Sequence, residues 1–564
     1  MNFIVLARDQ INDIIKSACQ RAFDAGILPG SAEDSAVGVE IPKDEANGDF
    51  SSNFALTSAK RFRLPPQRIA QAVCDNIDLS GSYFNSVNIA GAGFINFCLS
   101  DRWYGELLAN IAEEGADYGS SDIGTGIKVM VEFVSANPTG PMHMGNARGG
   151  VLGDCLANAY RRCGFEMHKE FYVNDAGNQV EVFARSLEAR YFQQLRGEDA
   201  LEFPEDGYHG DDIKQLAADY IGQFGDNLSG VSEAERRETL RDFGLRHNIP
   251  RMESDLKRYN IVYDRWFRES ELHTSGYVAE TIELIKRRGY TYEKDGALWF
   301  RCTDLGCEKD EVLMRSNGYY TYYASDIAYH RDKFEKRGFD SVIDVLGADH
   351  HGHTVRFKAG LSALGLDPDK LHFVLIQLVR LTRDGEAVRM SKRTGKSITL
   401  SDLLDEIPCD AARFFFNARQ SDAQLEFDLG LAVRHDSENP IYYVQYAHAR
   451  ICSLLRIAEE EGFGLDLSRE ADYSLLSMPV EKALIKTLAR LPEELCLVTR
   501  DCEPSRLNTL LVDIARAFHR FYTECNIKDA PSGLRTARLK LANCVRLTIA
   551  NACGVIGITA PEKM

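Results

Sequence analysis

The stretch Glu132–Gly150, "EFVSANPTGPMHMGNARGG", runs from an apolar strand end through a loop broken by Pro138, Gly140 and Pro141 to one histidine, His143, and then to Gly145, where a helix can begin. Just upstream, "KVMVEFV" from Lys128 is apolar enough for a buried strand. Just downstream, "VLGDCLANAYRRCGF" places Val151, Leu152, Cys155, Leu156, Ala159, Tyr160 and Cys163 on one helical face, and "EMHKEFYV" reads as the next strand. Strand, loop, helix and strand in this order make a βαβ unit. Ligands of such sheets bind beyond the carboxyl ends of the strands, where helix N-termini present unpaired N–H groups to anions. The quoted loop falls there. Gly145 allows close approach of a ligand to backbone, and His143 and Asn146 stand at the helix start, which suits a phosphate. A lone histidine at this place serves as readily to cap a helix or fill a polar gap.

The same grammar extends in both directions. Residues from about 178 to 294 are polar, charged and helical, with the acidic break "LRGEDALEFPEDGYHGDD", and read as an insertion. Strand–helix alternation resumes with "ALWFR", "YYTYYASDIAYHRDKFEKRG", "DSVIDVLG", "HTVRFKAGLSALG" and "KLHFVLIQLV". Ahead of the sheet, a helix from about Asp9 to Ala25 and the alternating "NSVNIAGAGFINFCL" predict a small α+β domain. Behind it, "IYYVQYAHARICSLLRIAEEEG" and "RLNTLLVDIARAFHRFYTEC" carry the spacing of packed amphipathic helices. The predicted fold class is α/β: a Rossmann-type parallel-sheet domain over residues 121–408, a small α+β N-terminal domain over 1–120 and an all-α C-terminal bundle over 409–564.

At 564 residues the chain exceeds one core, and 44% hydrophobic against 27% charged residues fits a folded multidomain protein. No uninterrupted apolar run reaches the ~18 residues of a membrane span, and the N-terminus lacks the pattern of a signal peptide, so a cytoplasmic location is expected. The 14 cysteines follow no framework and predict free thiols; Cys302 and Cys307 in "CTDLGC" lack the second Cys/His pair of a zinc site. A net charge of −18 excludes nucleic-acid binding by bulk charge, but not by local faces. Lys60, Arg61, Arg63 and Arg68 form one cluster, and Arg535, Arg538, Lys540 and Arg546 another; each reads first as a solvated face.

Two further constellations carry chemistry. In "TRDGEAVRMSKRTGKSITL", "RDGE" reads as a hairpin turn, and Arg389, Lys392, Arg393 and Lys396 crowd a glycine-containing loop able to stabilise polyphosphate charge. The Walker A pattern fails, because its first glycine falls on Met390. In "VLGADHHGHTVR", Asp349, His350, His351 and His353 follow a buried strand and suit either a metal or a nucleotide.

With these residues in place, "PMHMGN" resembles the HIGH signature of class I aminoacyl-tRNA synthetases and "RMSKR" their KMSKS signature, in the family's order. "GDFSSNFALTSAK", "FYVNDAGNQ", "YASDIAYH", "LGADHHGH" and "YVQYAHARICSLLR" are similar to arginyl-tRNA synthetases, so the resemblance covers nearly the whole chain. It implies activation of L-arginine with ATP and Mg2+, transfer to the 2′-hydroxyl of tRNA(Arg), and a monomer with no DNA or membrane partner. It also implies roles. His143 and Asn146, in the HIGH-like segment Ala136–Asn146, would serve the α-phosphate, and Lys392 the departing pyrophosphate. Gly145, Gly347, Asp349, His350, Arg389, Met390, Ser391 and Arg393 would complete the ATP site; Glu132, Ser135, Asn137, Tyr322 and Asp326 would bind arginine. No protein-held metal is implied. Two positions depart from the class pattern: Asn146 replaces the second histidine, and Arg389 the first lysine. The competing readings are a non-catalytic tRNA-binding relative and a nucleotidylyltransferase of the same superfamily.

Overall fold

The computed structural model describes residues 1–29, 37–383, 385–388, 398–463 and 471–564. Its central sheet has five parallel strands, β1 (Lys128–Glu132), β2 (Glu166–Val173), β3 (Arg265–Arg268), β4 (Ser341–Gly347) and β5 (Leu371–Ile376). Their order is β5-β4-β1-β2-β3. The direction of winding reverses between β1 and β4, which opens a crevice at their carboxyl ends. Val129, Met130 and Val131 are at most 1% exposed, as a strand covered on both faces requires. Helix α1 (Gly145–Arg162) makes the first crossover. A Cβ at Gly153 would lie 2.2 Å from the Phe133 ring, so glycine is what lets α1 sit this close to β1.

The predicted insertion over 178–294 is not one body. Helices α2 (Asn178–Arg196), α3 (Asp211–Phe224) and α4 (Glu233–Arg258) fill the crossover from β2, but the chain then returns to the sheet as β3. "RWFR" escapes sequence reading because it is short and has no aliphatic run; its hold is aromatic, with Trp266 stacked on Phe171 at 4.2 Å between ring centroids. "ALWFR", expected in the parallel sheet, is instead the middle strand (Ala297–Phe300) of a separate antiparallel sheet with Thr291–Lys294 and Glu311–Met314. Helix α5 (Tyr322–Arg331) follows and ends in a π-helical turn, Asp332–Lys336; α6 (His351–Ala363) joins β4 to β5.

The N-terminal region pairs a helix, Phe3–Asp24, with a four-stranded antiparallel sheet. The helix begins earlier than expected because Phe3, Ile4 and Ala7 already belong to its buried face and Asn2 caps it. On the C-terminal side, α7 (Cys409–Phe416) is followed by the strand Leu425–Asp428, which pairs in parallel with Val379–Arg383, so the chain revisits the catalytic region beyond residue 409. The bundle then comprises α8 (Pro440–Glu460), α9 (Pro479–Leu488), α10 (Arg490–Asp501), α11 (Ser505–Glu524) and α12 (Ser532–Ile556). Helix α12 is long and apolar enough to cross a membrane, but 72% of its apolar window is buried within the protein. Two of its cations also turn inward. Arg538 and Lys540, expected on a solvated face, are each no more than 8% exposed, and Arg538 Nε donates to Glu481 at 2.7 Å.

One buried carboxylate joins these parts. Asp154, in α1, accepts from Lys169 of β2 at 2.6 Å and from Arg413 of α7 at 2.5 Å. Arg413 also donates to the carbonyls of Ile556, at the end of α12, and Tyr259, just past α4, both at 2.9 Å. Burial would push the Asp154 carboxyl up; Arg413 and Lys169 outweigh it and hold the group below its ordinary value. Replacing Arg413 by alanine strands a buried anion and is expected to destabilise the protein by about 3–5 kcal/mol. A fall in the urea unfolding midpoint checks this, with Arg500→Ala, in an exposed pair with Asp501, leaving the midpoint in place.

Candidate active site

Directly after β1 the backbone is strained: Val134 and Ser135 have φ of 69° and 41°, a region that non-glycine residues seldom occupy. The fold fixes them from both sides. Ser135 Oγ donates to Glu132 Oε1 at 2.9 Å and accepts from the Tyr172 N–H at 3.1 Å. Farther along, Met144 N donates to Ile398 O at 3.0 Å and Leu400 N to Met142 O at 2.9 Å, which brackets a bridge between His143 and Thr399. His143 Nδ1 accepts from the Gly145 N–H at 3.0 Å, leaving Nε2 to carry the proton. Partial burial lowers the imidazole pKa, so His143 is a neutral donor near pH 7. Asn146 lies in the first turn of α1.

The second signature, Arg389, Met390, Ser391, Lys392 and Arg393, lies outside the described residues. Its flanks do not. The expected hairpin is present, with Arg383 opposite Glu386. Val388 and Ile398, on either side of the signature, line a cleft of about 600 Å³ together with His143, Met144 and Leu378. Both ends of the basic loop are therefore anchored beside the first signature. Fully buried Arg148 of α1 braces this cleft by donating to the carbonyls of Gln377 and Ala423 at 2.9 and 2.8 Å.

Gly347, Asp349 and His350 are exposed at the carboxyl end of β4, next to β1 in the sheet, on a short turn, Ala348–His350. Among the described residues no group of three or more His, Cys, Asp and Glu side chains could hold a metal ion.

Of the remaining predicted residues, Tyr322 and Asp326 lie on α5, and Glu132 is near enough to act on Asp326. The Tyr322 hydroxyl accepts from the N–H groups of Asn178 and Gln179 at 2.8 and 3.4 Å, at the start of α2, and keeps its own proton to donate. This contact needs Gly177, since a Cβ there would come within 2.8 Å of the Tyr322 ring. One helical turn on, desolvation first, then the charges of Glu269 and Glu132, push the Asp326 carboxyl up to about 8, against the pull of Lys333 and Arg356. Asn137 is exposed on the β1 loop.

Glu269 is a member that sequence reading missed. It is 3% exposed, lies 3.4 Å from His273 Nε2, and follows β3 directly. Its only sequence signal was a strand end, and that strand went unread. Glu132, Glu269 and Asp326 thus lie close enough to feel one another's charge, whereas the cleft beside His143 is lined mainly by apolar side chains, with Arg380 paired to Glu426 at its edge.

The chain matches the pattern of the class I (R) tRNA synthetase catalytic domain over residues 108–427, the arginyl-tRNA synthetase N-terminal domain over 9–99 and the DALR anticodon-binding domain over 444–564. It is 52% identical over 563 residues to the arginine–tRNA ligase of Acetivibrio thermocellus, covering 100% of each chain. It is 49% identical over 557 residues to that of Ruminiclostridium cellulolyticum, covering 99% of each. The Thermus thermophilus arginyl-tRNA synthetase shares the fold with a TM-score of 0.72 at 23% identity, over 98% of this chain and 99% of that one. With the catalytic pattern spanning more than half its length and full-length relatives about half identical, the chain belongs to the class I arginyl-tRNA synthetase family.

Proposed function

We propose that this chain ligates arginine to tRNA(Arg), and that the observation carrying its mechanism is the juxtaposition of the acidic pocket at Glu132, Glu269 and Asp326 with the cleft between His143 and the ends of the "RMSKR" loop. The arginine carboxylate attacks the α-phosphorus of ATP and pyrophosphate leaves; the 2′-hydroxyl of the tRNA terminal adenosine then attacks the arginyl carbonyl and AMP leaves. Neither displacement needs a protein nucleophile, so catalysis is positioning and fixed charge. His143, as a neutral Nε2–H donor, and Asn146 serve the α-phosphate region. Lys392, with Arg389, Met390, Ser391 and Arg393, holds the departing pyrophosphate, while Gly145, Gly347, Asp349 and His350 attend the nucleoside. Magnesium arrives on the ATP phosphates. Glu132, Ser135, Asn137, Tyr322 and Asp326 receive arginine, whose guanidinium offers directional donors and a permanent charge.

The bundle supplies a surface for anticodon bases. Tyr442 and Tyr446 stack at 6.1 Å, Tyr446 stacks on His519 at 5.9 Å, and the Arg450 guanidinium lies 4.1 Å from the Tyr522 ring centroid. Arg450 and Tyr522 also line a cleft of about 470 Å³ between α8, α11 and α12. With a net charge of −18, tRNA binding must rely on such local sites. The reading includes action as a monomer in the cytoplasm, and 14 free thiols suit a reducing compartment.

The direct test is aminoacylation of total tRNA with each amino acid, where arginine alone is expected to give product. Lys392→Ala should slow adenylation by about a hundredfold or more with little change in tRNA affinity; equal losses in both would remove its assigned role. Since Asp326 must be ionised to meet a guanidinium, the KM for arginine should rise as pH falls below about 8, by up to about tenfold per unit. Asp326→Asn should raise that KM and flatten its pH profile. Arg450→Ala should raise the KM for tRNA about tenfold and leave that for arginine in place, as steady-state kinetics with each substrate varied would show.

A further inference from the structure

Three strands present a carboxylate at one level of the sheet, with Asp344 of β4 paired to Glu132 of β1, and Glu132 to Glu170 of β2. Three like charges in a row are tolerable only if cations lie among them, and these come from the end of α5 and its π-helical turn. Arg337 grips Glu170 through two bonds of 2.5 and 3.0 Å, and Tyr329 adds a third at 2.6 Å. His330 meets Asp344 at 2.8 Å. Lys333, with no exposed side-chain surface, donates to both Asp344 Oδ1 at 2.9 Å and Glu132 Oε2 at 2.6 Å, and its ammonium lies 4.2 Å from the Tyr329 ring centroid.

The three carboxylates are not equivalent. The side chains of Asp344 and Glu170 are 3% and 0% exposed, while that of Glu132 is 12% exposed. Only Glu132 opens appreciably onto the pocket. Both its oxygens already have partners, Ser135 on one and Lys333 on the other. It is therefore held still, and each oxygen keeps a lone pair for a guanidinium N–H. Lys333 remains an ammonium, because Asp344 and Glu132 overcome the burial that would otherwise strip its proton.

We infer that Lys333 is a positioning residue for arginine: without touching the substrate, it locks Glu132 in the orientation that accepts the guanidinium and ties that orientation to the buried Asp344. The inference rests on the reading of Glu132 as part of the arginine pocket. It separates recognition of arginine from that of ATP.

The test uses the full chain and steady-state aminoacylation with arginine, ATP and tRNA varied in turn. Lys333→Met is expected to raise the KM for arginine by about ten- to a hundredfold, the loss of a charged hydrogen bond, while the KM for ATP stays within about twofold. Because this substitution leaves Asp344 and Glu132 unneutralised, it also lowers the Tm. The double variant Lys333→Met/Asp344→Asn removes one stranded charge and should recover much of that Tm with the arginine KM still raised. If the arginine KM recovers along with the Tm, or the arginine and ATP KM values rise together, Lys333 is merely structural and the inference is overturned. Glu132→Gln separates the two levels. A raised arginine KM in Glu132→Gln with none in either Lys333 variant overturns the positioning role alone; no effect of Glu132→Gln overturns the pocket reading and this inference with it.

Discussion

A carboxylate removed from water must find its whole counter-charge inside the protein, and Asp154 finds it in two places at once. Lys169 brings the sheet to it and Arg413 the start of the helical region, while the remaining donors of Arg413 are taken by carbonyls at Tyr259 and Ile556. A Cβ at Gly557 would lie 2.3 Å from Arg413 Nη2, so the turn after the last helix is shaped around this guanidinium as well. The crossover before β3, the end of α12 and the signature helix are thus conditional on one another. Asp154 is on the same helix that begins beside His143. The loop that carries His143 is consequently referenced to the C-terminal end of the bundle.

The substrate helix follows the same logic. At its C-terminal end α5 is pinned by Tyr329, His330, Lys333 and Arg337 to three strands, whereas its N-terminal end carries Tyr322 and Asp326. One end is satisfied, and on the proposed reading the other meets arginine. Satisfied ion pairs contribute rigidity more dependably than stability, because desolvation cancels much of their Coulomb gain. What they secure here is geometry: Asp326 is held where burial first, and the charges of Glu269 and Glu132 second, raise its carboxyl pKa.

Local patterns were enough to read β1, α1 and β2, since their periodicity is contained in contiguous residues; "EMHKEFYV" begins and ends with β2 itself. They failed where stability comes from far along the chain. Lys333 and Glu132 are 201 residues apart, and nothing near "DKFEK" shows that a lysine there is buried. The same holds for Arg538 and for "RWFR", whose burial depends on partners from other elements. Within the site, His143 was legible as a loop histidine at a strand end, but its partnership with the basic loop came from family resemblance. Tyr322 and Asp326 were legible only through that resemblance, as candidates. Glu269 was not, because an acid in a charged stretch looks solvated until the strand before it is known.

The two substrates of the first step impose opposite electrostatic demands, which the proposed site would meet around one strand end. Arginine needs negative charge, and ATP needs donors that do not cancel it. A histidine held neutral beside the acidic pocket can donate to a phosphate without forming an ion pair with Glu132 or Asp326. Asparagine at position 146 has the same property by constitution, since an amide donates but cannot take up a proton. On the proposed assignment, His143 and Asn146 therefore divide the labour with the "RMSKR" loop, serving the α-phosphate as neutral donors while the loop supplies positive charge.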